Sequence, residues 1–324
     1  EKLTYFSMAV IKLPSRILIY SLLFFSLLFF FMTGCTPKTQ MVSVPVDTTS
    51  AFSKSGSVES PKQWWTSFND PTLNQLVDTA LTSNFNLQAV WQRLQTAEAT
   101  VDRESSSFFP MLDASARGEL GQYQNQYNQS QSYRLGLNTS YEIDLWGKIR
   151  SRVEAERYRA KASHSDYQTA AITLTAEISN TWYQLIAAQN QLELVSQQIE
   201  TNQNVLNLIE TRLGSGQIRS ADILRQRRLL ESTREERIAV EQQVGLLENR
   251  LSVLLGNSPQ NEFRRVEDTL PPLPPMPKTG VPAELVNRRP DVQAAYNRLM
   301  AADRELASAI SNQYPRFSIN ASAS

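Results

Sequence analysis

Residues 147–213 read GKIRSRVEAERYRAKASHSDYQTAAITLTAEISNTWYQLIAAQNQLELVSQQIETNQNVLNLIETRL, and this run decides the fold. It holds 67 residues with no proline and no glycine after the first, and Gly214 and Gly216 follow at once. At about 1.5 Å per residue such a run reaches roughly 100 Å as a helix, against the roughly 8–20 residues of ordinary globular helices. Ile178, Leu185, Leu192, Ile199, Leu206 and Leu213 recur every seven residues, with Thr181, Ala188, Val195, Asn202 and Ile209 as a companion row three positions on. A sustained seven-residue apolar period predicts a helix supercoiled against a partner. A second run returns from Ile218 to Leu255 and stops at Gly256, just before Pro259. Residues 147–256 are therefore expected to form a long helical hairpin with its tip at Gly214–Ser220. Its outward positions, rich in Gln, Asn and Glu, sit in water.

Composition narrows the function. Lys plus Arg equals Asp plus Glu at 32 each, which argues against nucleic acid or an acidic substrate as the main partner. A single Cys excludes an intramolecular disulfide framework. The single His, His164, is expected to be solvated or packed on the long helix, so neither histidine catalysis nor a His-rich metal site is expected. No nucleophile–base pair, phosphate loop or metal-ligand cluster points to an enzyme, and no cofactor is expected beyond a covalent lipid. Arg225-Gln-Arg227-Arg228 reads as a solvated helix face.

At the N-terminus Lys12 and Arg16 precede an apolar run from Ile17 to Met32, long enough for a transmembrane helix. Met32-Thr33-Gly34-Cys35 tips the reading, because it resembles the lipobox of bacterial lipoproteins, where the Cys becomes the acylated first residue. Residues 1–34 are thus expected to be a lipoprotein signal peptide, with Cys35 the palmitate-bearing attachment point. Thr36, rather than Asp, favours the outer membrane by resemblance to lipoprotein sorting, and the lack of an initial Met suggests a partial or overextended frame. Residues 35–62, rich in Ser, Thr, Val and Pro, read as a tether.

Asp70-Pro71 is a start signal for a helix, with Asp at the N-cap and Pro at the first helical position. Leu73, Leu76, Val77, Ala80 and Leu81 form its apolar face, and a second helix runs from Leu87 to about Ser106. The period then changes to two. In Tyr133–Leu145 the odd positions are Tyr, Leu, Leu, Thr, Tyr, Ile and Leu, while the even ones are Arg134, Gly136, Asn138, Ser140, Glu142 and Asp144. Leu112, Ala114, Ala116, Gly118 and Leu120 alternate likewise with Asp113, Ser115, Arg117 and Glu119. A half-buried soluble hairpin would alternate too. Globular strands average about 5–6 residues, however, whereas membrane-barrel strands need about 9–11. Aromatics near the strand ends (Tyr123, Tyr127, Tyr133, Tyr141 and Trp146) suit a barrel's girdles.

Leu270-Pro-Pro-Leu-Pro-Pro-Met-Pro277 cannot be helical and reads as an extended crossover. Beyond it an internal repeat emerges: at an offset of 205, Leu87–Ala116 aligns without a gap to Val292–Ala321. Gln88, Ala89, Arg93, Leu94, Ala97, Pro110 and Ala116 match Gln293, Ala294, Arg298, Leu299, Ala302, Pro315 and Ala321. The two-residue period recurs in Phe317, Ile319, Ala321 and Ala323, where the chain halts. By the logic of the repeat, a second hairpin and helical pair of on the order of 150 residues are expected beyond it. The resulting division is a first repeat at 63–276 and the start of a second, truncated, at 277–324. Within the first lie helices at 71–106, strands at 111–145, the helical hairpin at 147–256 and the Pro-rich crossover at 257–276.

Three segments carry a resemblance: Trp64-Trp65-x-x-Phe68-x-Asp70-Pro71-x-Leu73, Ser140-Tyr-Glu-Ile-Asp-Leu-Trp-Gly147, and Leu273-Pro274 through Arg288-Arg-Pro-Asp-Val292. They are similar to the outer-membrane factor family, the TolC-like channels, and to its lipoprotein branch of OprM and NodT type. The resemblance implies a fold of α plus transmembrane β: long coiled-coil hairpins forming a periplasmic α-barrel, under an outer-membrane β-barrel that is 12-stranded as a trimer. It also implies a homotrimer, a periplasmic adaptor and, indirectly, an inner-membrane pump. A barrel satisfies its strand hydrogen bonds in lipid only when closed. The apolar stripe is then expected to face lipid, with Arg134, Asn138, Glu142 and Asp144 lining a wet lumen. Gly216–Asp222 resembles the family's helical-tip motif, which implies a gate and adaptor-docking tip at Gly214, Gly216, Arg219 and Asp222, with Asp222 among the polar links that hold the tip narrow and Gly216 where an adaptor's hairpin docks. Simpler readings stand beside these: Gly216 as a turn glycine, and Asp222 as a favoured helix-start residue.

The expected function is a passive trans-periplasmic export duct of a tripartite efflux (RND-type) or type I secretion system, lipid-anchored in the outer membrane and extending into the periplasm. The alternative is a periplasmic adaptor lipoprotein with a coiled-coil hairpin, for which split lipoyl-like β segments would be expected.

Overall fold

The computed structural model describes residues 63–122, 129–214, 217, 219–259, 270–278 and 287–324, all within one compact unit spanning Val46–Ser324. The expected signal peptide and tether, Cys35 among them, lie outside the described residues. A 3₁₀ turn at Trp64–Phe68 ends on Asn69, which takes a left-handed conformation (φ 53°), and α1 follows at Pro71–Ser83. Asp70 caps α1 as the sequence predicts, its Oδ1 accepting from the Leu73 N–H at 2.9 Å. α2, Phe85–Ser105, begins two residues before the expected Leu87 because Asn84 serves both helices. Its N–H donates to the Ala80 carbonyl, closing α1, and its Oδ1 accepts from the Leu87 N–H at 2.9 Å.

Three strands make one antiparallel sheet in the order β1-β2-β3: β1 is Met111–Gln122, β2 is Gln129–Ile143 and β3 is Phe317–Ala323. Leu112 pairs with Thr139, Ala116 with Leu135, and Tyr141 with Ile319. The strands run further into the Gln-rich connection than side-chain alternation indicates, and β2 stops at Ile143 rather than Leu145.

α3, Lys148–Gly214, is a single helix of 67 residues, and α4, Ser220–Leu254, returns along it. The predicted seam is where they meet. Ile178, Thr181, Leu185, Ala188, Val195 and Leu206 are buried, and Leu192, Ile199, Asn202, Ile209 and Leu213 are half-buried. Nearer the sheet this seam merges with α1 in a core of Trp65, Leu73, Val77, Ile178, Trp182, Leu185 and Leu251. Close to the tip a separate cluster holds Leu206, Ile223 and Leu230. Gly245 interrupts α4 without steric need, since a side chain there would meet open space.

α4 ends in a Schellman motif. Gly256 sits at φ 76°, its N–H donating to Val253 and the Asn257 N–H to Ser252. Ser83 and Asn84 then donate to the carbonyls of Leu255 and Leu254 at 2.6 and 2.9 Å, satisfying acceptors that a helix end otherwise leaves unpaired.

α5, Pro290–Ser311, covers the part of α3 nearest the sheet. Arg298–Asp166, Arg159–Glu305 and Arg304–Glu154 link the two helices, and Ala155, Ala162, Ala294 and Ala301 are buried. An offset of 205 carries the bounds of α2 onto 290–310, within one residue of those of α5. At the start of α5, Arg289 grips Asp291 through both carboxylate oxygens, holding that carboxyl below the usual carboxylate range.

Candidate functional site

Strand register turns the alternating sequence into two chemically opposed faces. On one, Leu112, Thr139 and Ala321 stand in a row, followed by Ala114, Leu137 and Ala323, with Ala116 opposite Leu135, Gly118 opposite Tyr133, and Phe317 opposite Ile143. This apolar face is uncovered: Leu112, Tyr133 and Leu135 are 70%, 78% and 75% exposed. The other face carries Asp113 opposite Asn138 and Ser322, Arg117 opposite Arg134, Glu119 opposite Ser132, and Glu142 opposite Ser318. Arg134, Asn138 and Glu142 thus share one polar face, as the sequence predicts. Among the described residues, the outer edges of β1 and β3 pair with no further strand.

Asp144 requires a correction. It lies past the end of β2, and its two oxygens accept from the N–H groups of Ile149 and Arg150 at 3.0 and 2.9 Å. The carboxylate caps α3, where the helix dipole favours negative charge, and does not extend the strand's polar row. Gly147, at φ 71°, makes the turn between them. The same junction meets the one between α5 and β3. The Trp146 indole donates to the Pro315 carbonyl at 2.9 Å and stacks on Tyr314, while Ser311 Oγ donates to the Trp146 carbonyl. Glu142 is approached by Lys148 at 3.7 Å and Arg316 at 4.0 Å. These groups line a recess of about 200 Å³.

At the hairpin tip Gly214 is the last residue of α3, with open space around it, and Gly216 lies outside the described residues. Arg219 precedes α4 in extended conformation. Asp222 Oδ2 accepts from the Arg219 N–H at 3.2 Å, and Oδ1 pairs with Arg225 one turn on. The Arg219 N–H first, and then the Arg225 guanidinium, hold the Asp222 carboxyl below its ordinary range.

The structure therefore separates the expected site residues into a strand set and a tip set. Two contacts escaped the sequence. Arg117 faces Arg134 only once the register is known. The Asp144 cap was hidden because Asp144-Leu145 prolongs the strand alternation, although the adjoining Trp146-Gly147 marks its end. His164 is exposed beside Gln168. Among the described residues no helix is long and apolar enough to cross a membrane, a fact with no bearing on strands.

Comparison with known proteins places these features in a group. The family model of outer membrane efflux proteins matches residues 76–257. The chain is 30% identical over 295 residues to the pyoverdine export outer membrane protein OpmQ of Pseudomonas putida, covering 88% of this chain and 63% of that protein. To the toluene efflux pump outer membrane protein TtgF of Pseudomonas putida it is 29% identical over 274 residues, 80% of this chain and 55% of that one. The chain thus spans less than two thirds of the length of either relative. The solved outer-membrane channel OprN superposes with a TM-score of 0.73 at 30% identity, over 89% of this chain and 66% of OprN.

Proposed function

We infer the function from the family: the chain belongs to the outer membrane efflux proteins, whose model matches more than half of its length. The reading is an outer-membrane channel subunit of a tripartite efflux or type I secretion system, a passive duct rather than an enzyme. The observation that carries it is the uncovered apolar face of the sheet. Strands of 12 and 15 residues exceed the roughly 9–11 that span a bilayer. An apolar face this exposed is costly in water, whereas in lipid the same face is solvated and the polar face turns to a wet lumen. Open strand edges are untenable in hydrocarbon, so the sheet is to be closed by further strands of the full protein and of two more copies, giving a 12-stranded trimeric barrel. The α3–α4 hairpin continues the duct into the periplasm, and the offset of 205 supports a duplicated plan with a second hairpin.

The finer proposals are a lipid on Cys35, an adaptor docking at the tip near Gly214 and Gly216, and an inner-membrane pump engaged through that adaptor. The lipobox context supports the first, and Cys35→Ser should end palmitate incorporation; continued labelling would refute it. The alternative of an adaptor lipoprotein fits poorly with membrane-length strands. The deciding experiment is reconstitution of the full-length protein in planar bilayers. Discrete conductance steps from a trimer support the duct, and a trimer that never conducts refutes it.

A further inference from the structure

We propose that Arg117 and Arg134 form an anion-selecting level on the polar face of the sheet, a selectivity element for carboxylate- or phosphate-bearing solutes. The proposal rests on the duct reading, which turns this face toward the lumen. The two arginines are direct cross-strand partners. Side chains so paired stand about 4.5–5.5 Å apart at Cβ, and like charges there are destabilising. Folding does not ask for them, since the neighbouring pair on the same face is Ser115 with Gly136.

The acids nearby leave the level positive. Glu119 approaches Arg117 at 3.8 Å, both side chains being largely exposed. Arg134 has no acidic partner among the described residues. Asp113 lies four residues away along β1, opposite Asn138, and Glu142 is engaged by Lys148 and Arg316. Each chain thus sets two guanidiniums against one carboxylate at this height, and three chains would triple the set. A passing anion relieves the repulsion, and the guanidinium fork matches carboxylate and phosphate through two parallel hydrogen bonds. Low-dielectric walls around a wet path focus such a field on the solute.

The test is the reversal potential of the full-length channel in a potassium chloride gradient, for wild type, Arg117→Gln/Arg134→Gln and Arg117→Lys/Arg134→Lys. The expected result is a chloride-to-potassium permeability ratio that falls severalfold in the Gln variant and is kept in the Lys variant. Should the double Gln variant not insert, Arg134→Gln alone, which leaves the Arg117–Glu119 contact in place, decides by the same criterion. Equal ratios in wild type and Gln channels overturn the selectivity level while leaving the duct intact. A wild-type protein that never conducts brings down both readings.

Discussion

Asp70 and Trp182, 112 positions apart in the chain, meet in a 2.8 Å hydrogen bond from the indole Nε1 to carboxylate Oδ2. The other oxygen of Asp70 caps α1. One buried carboxylate thereby fixes both the start of α1 and its place on α3, which explains why Trp64-Trp65-x-x-Phe68-x-Asp70-Pro71 reads as a unit. Trp65 is buried beneath it, and Phe68 packs on Tyr183 at 5.3 Å between ring centres.

Asp70→Asn should therefore destabilise the protein although it preserves shape. An amide offers one acceptor where two donors, Leu73 N–H and Trp182 Nε1–H, converge, so one donor is left unpaired in the core. The cost of such a group is about 1–3 kcal/mol. Denaturant melts of the detergent-solubilised full-length protein, in a double-mutant cycle with Trp182→Phe, measure it. A midpoint unchanged by Asp70→Asn would show that the contact contributes nothing.

Two glycines, Gly245 within α4 and Gly256 just past its end, should respond in opposite directions. A Cβ on Gly256 would lie 2.4 Å from the Ser83 carbonyl oxygen, and φ there is 76°. Left-handed backbone alone costs a side-chain-bearing residue roughly 1–2 kcal/mol, and the clash adds to it by pushing α1 away from α4. Gly245→Ala meets open space within a helix, where alanine is better than glycine by about 1 kcal/mol. Thermal unfolding should thus fall for Gly256→Ala and rise for Gly245→Ala. A common direction for both would contradict the described end of α4.

The two faces of the sheet make a matched pair of substitutions possible. Leu135→Arg puts a charge on the apolar face, which costs about 2–4 kcal/mol at mid-bilayer. Asn138→Arg places the same side chain on the polar face. Recovery of trimer in outer-membrane fractions should drop for the first and hold for the second. Equal recovery would remove the case for a lipid-facing side.

The hairpin was legible because a seven-residue period from Ile178 to Leu213, within a 67-residue run free of proline and closed by glycines, admits little else. The strands were legible as alternation, though not their ends. Backbone pairing carries β1 to Gln122 and starts β2 at Gln129, in a stretch whose side chains give no period. Asn84 was missed because its role depends on α4 lying alongside, where it donates to Leu254. The Arg117–Arg134 relation needed the register, a property of two strands together. Alternation, taken alone, also carried Asp144 into a strand it does not join.

The tip supplies the sharpest remaining contrast. Asp222 already has partners within its own chain, the Arg219 N–H and Arg225. A carboxylate has about four lone-pair sites, so a neighbouring hairpin's arginine can add to these contacts without displacing them. A latch, in which Asp222 pairs with an arginine of a neighbouring hairpin and holds the tip narrow, needs the charge of Asp222, whereas a helix-start role needs only an acceptor. Asp222→Asn keeps the acceptor for the Arg219 N–H and removes the charge, so the two roles separate. We expect both Asp222→Ala and Asp222→Asn to raise single-channel conductance of the full-length trimer and to admit larger antibiotics. High salt should reproduce the effect in wild type, because exposed ion pairs are screened. Acid adds a signed test. The folded-state pKa of Asp222 is depressed, so its stabilising contribution is present above the ordinary value of 3.8 and fades as pH falls through the lower folded value. Wild-type conductance should accordingly stay flat from neutral pH down to about that ordinary value and rise only below it. If Asp222→Asn conducts like wild type while Asp222→Ala does not, the residue starts a helix and latches nothing.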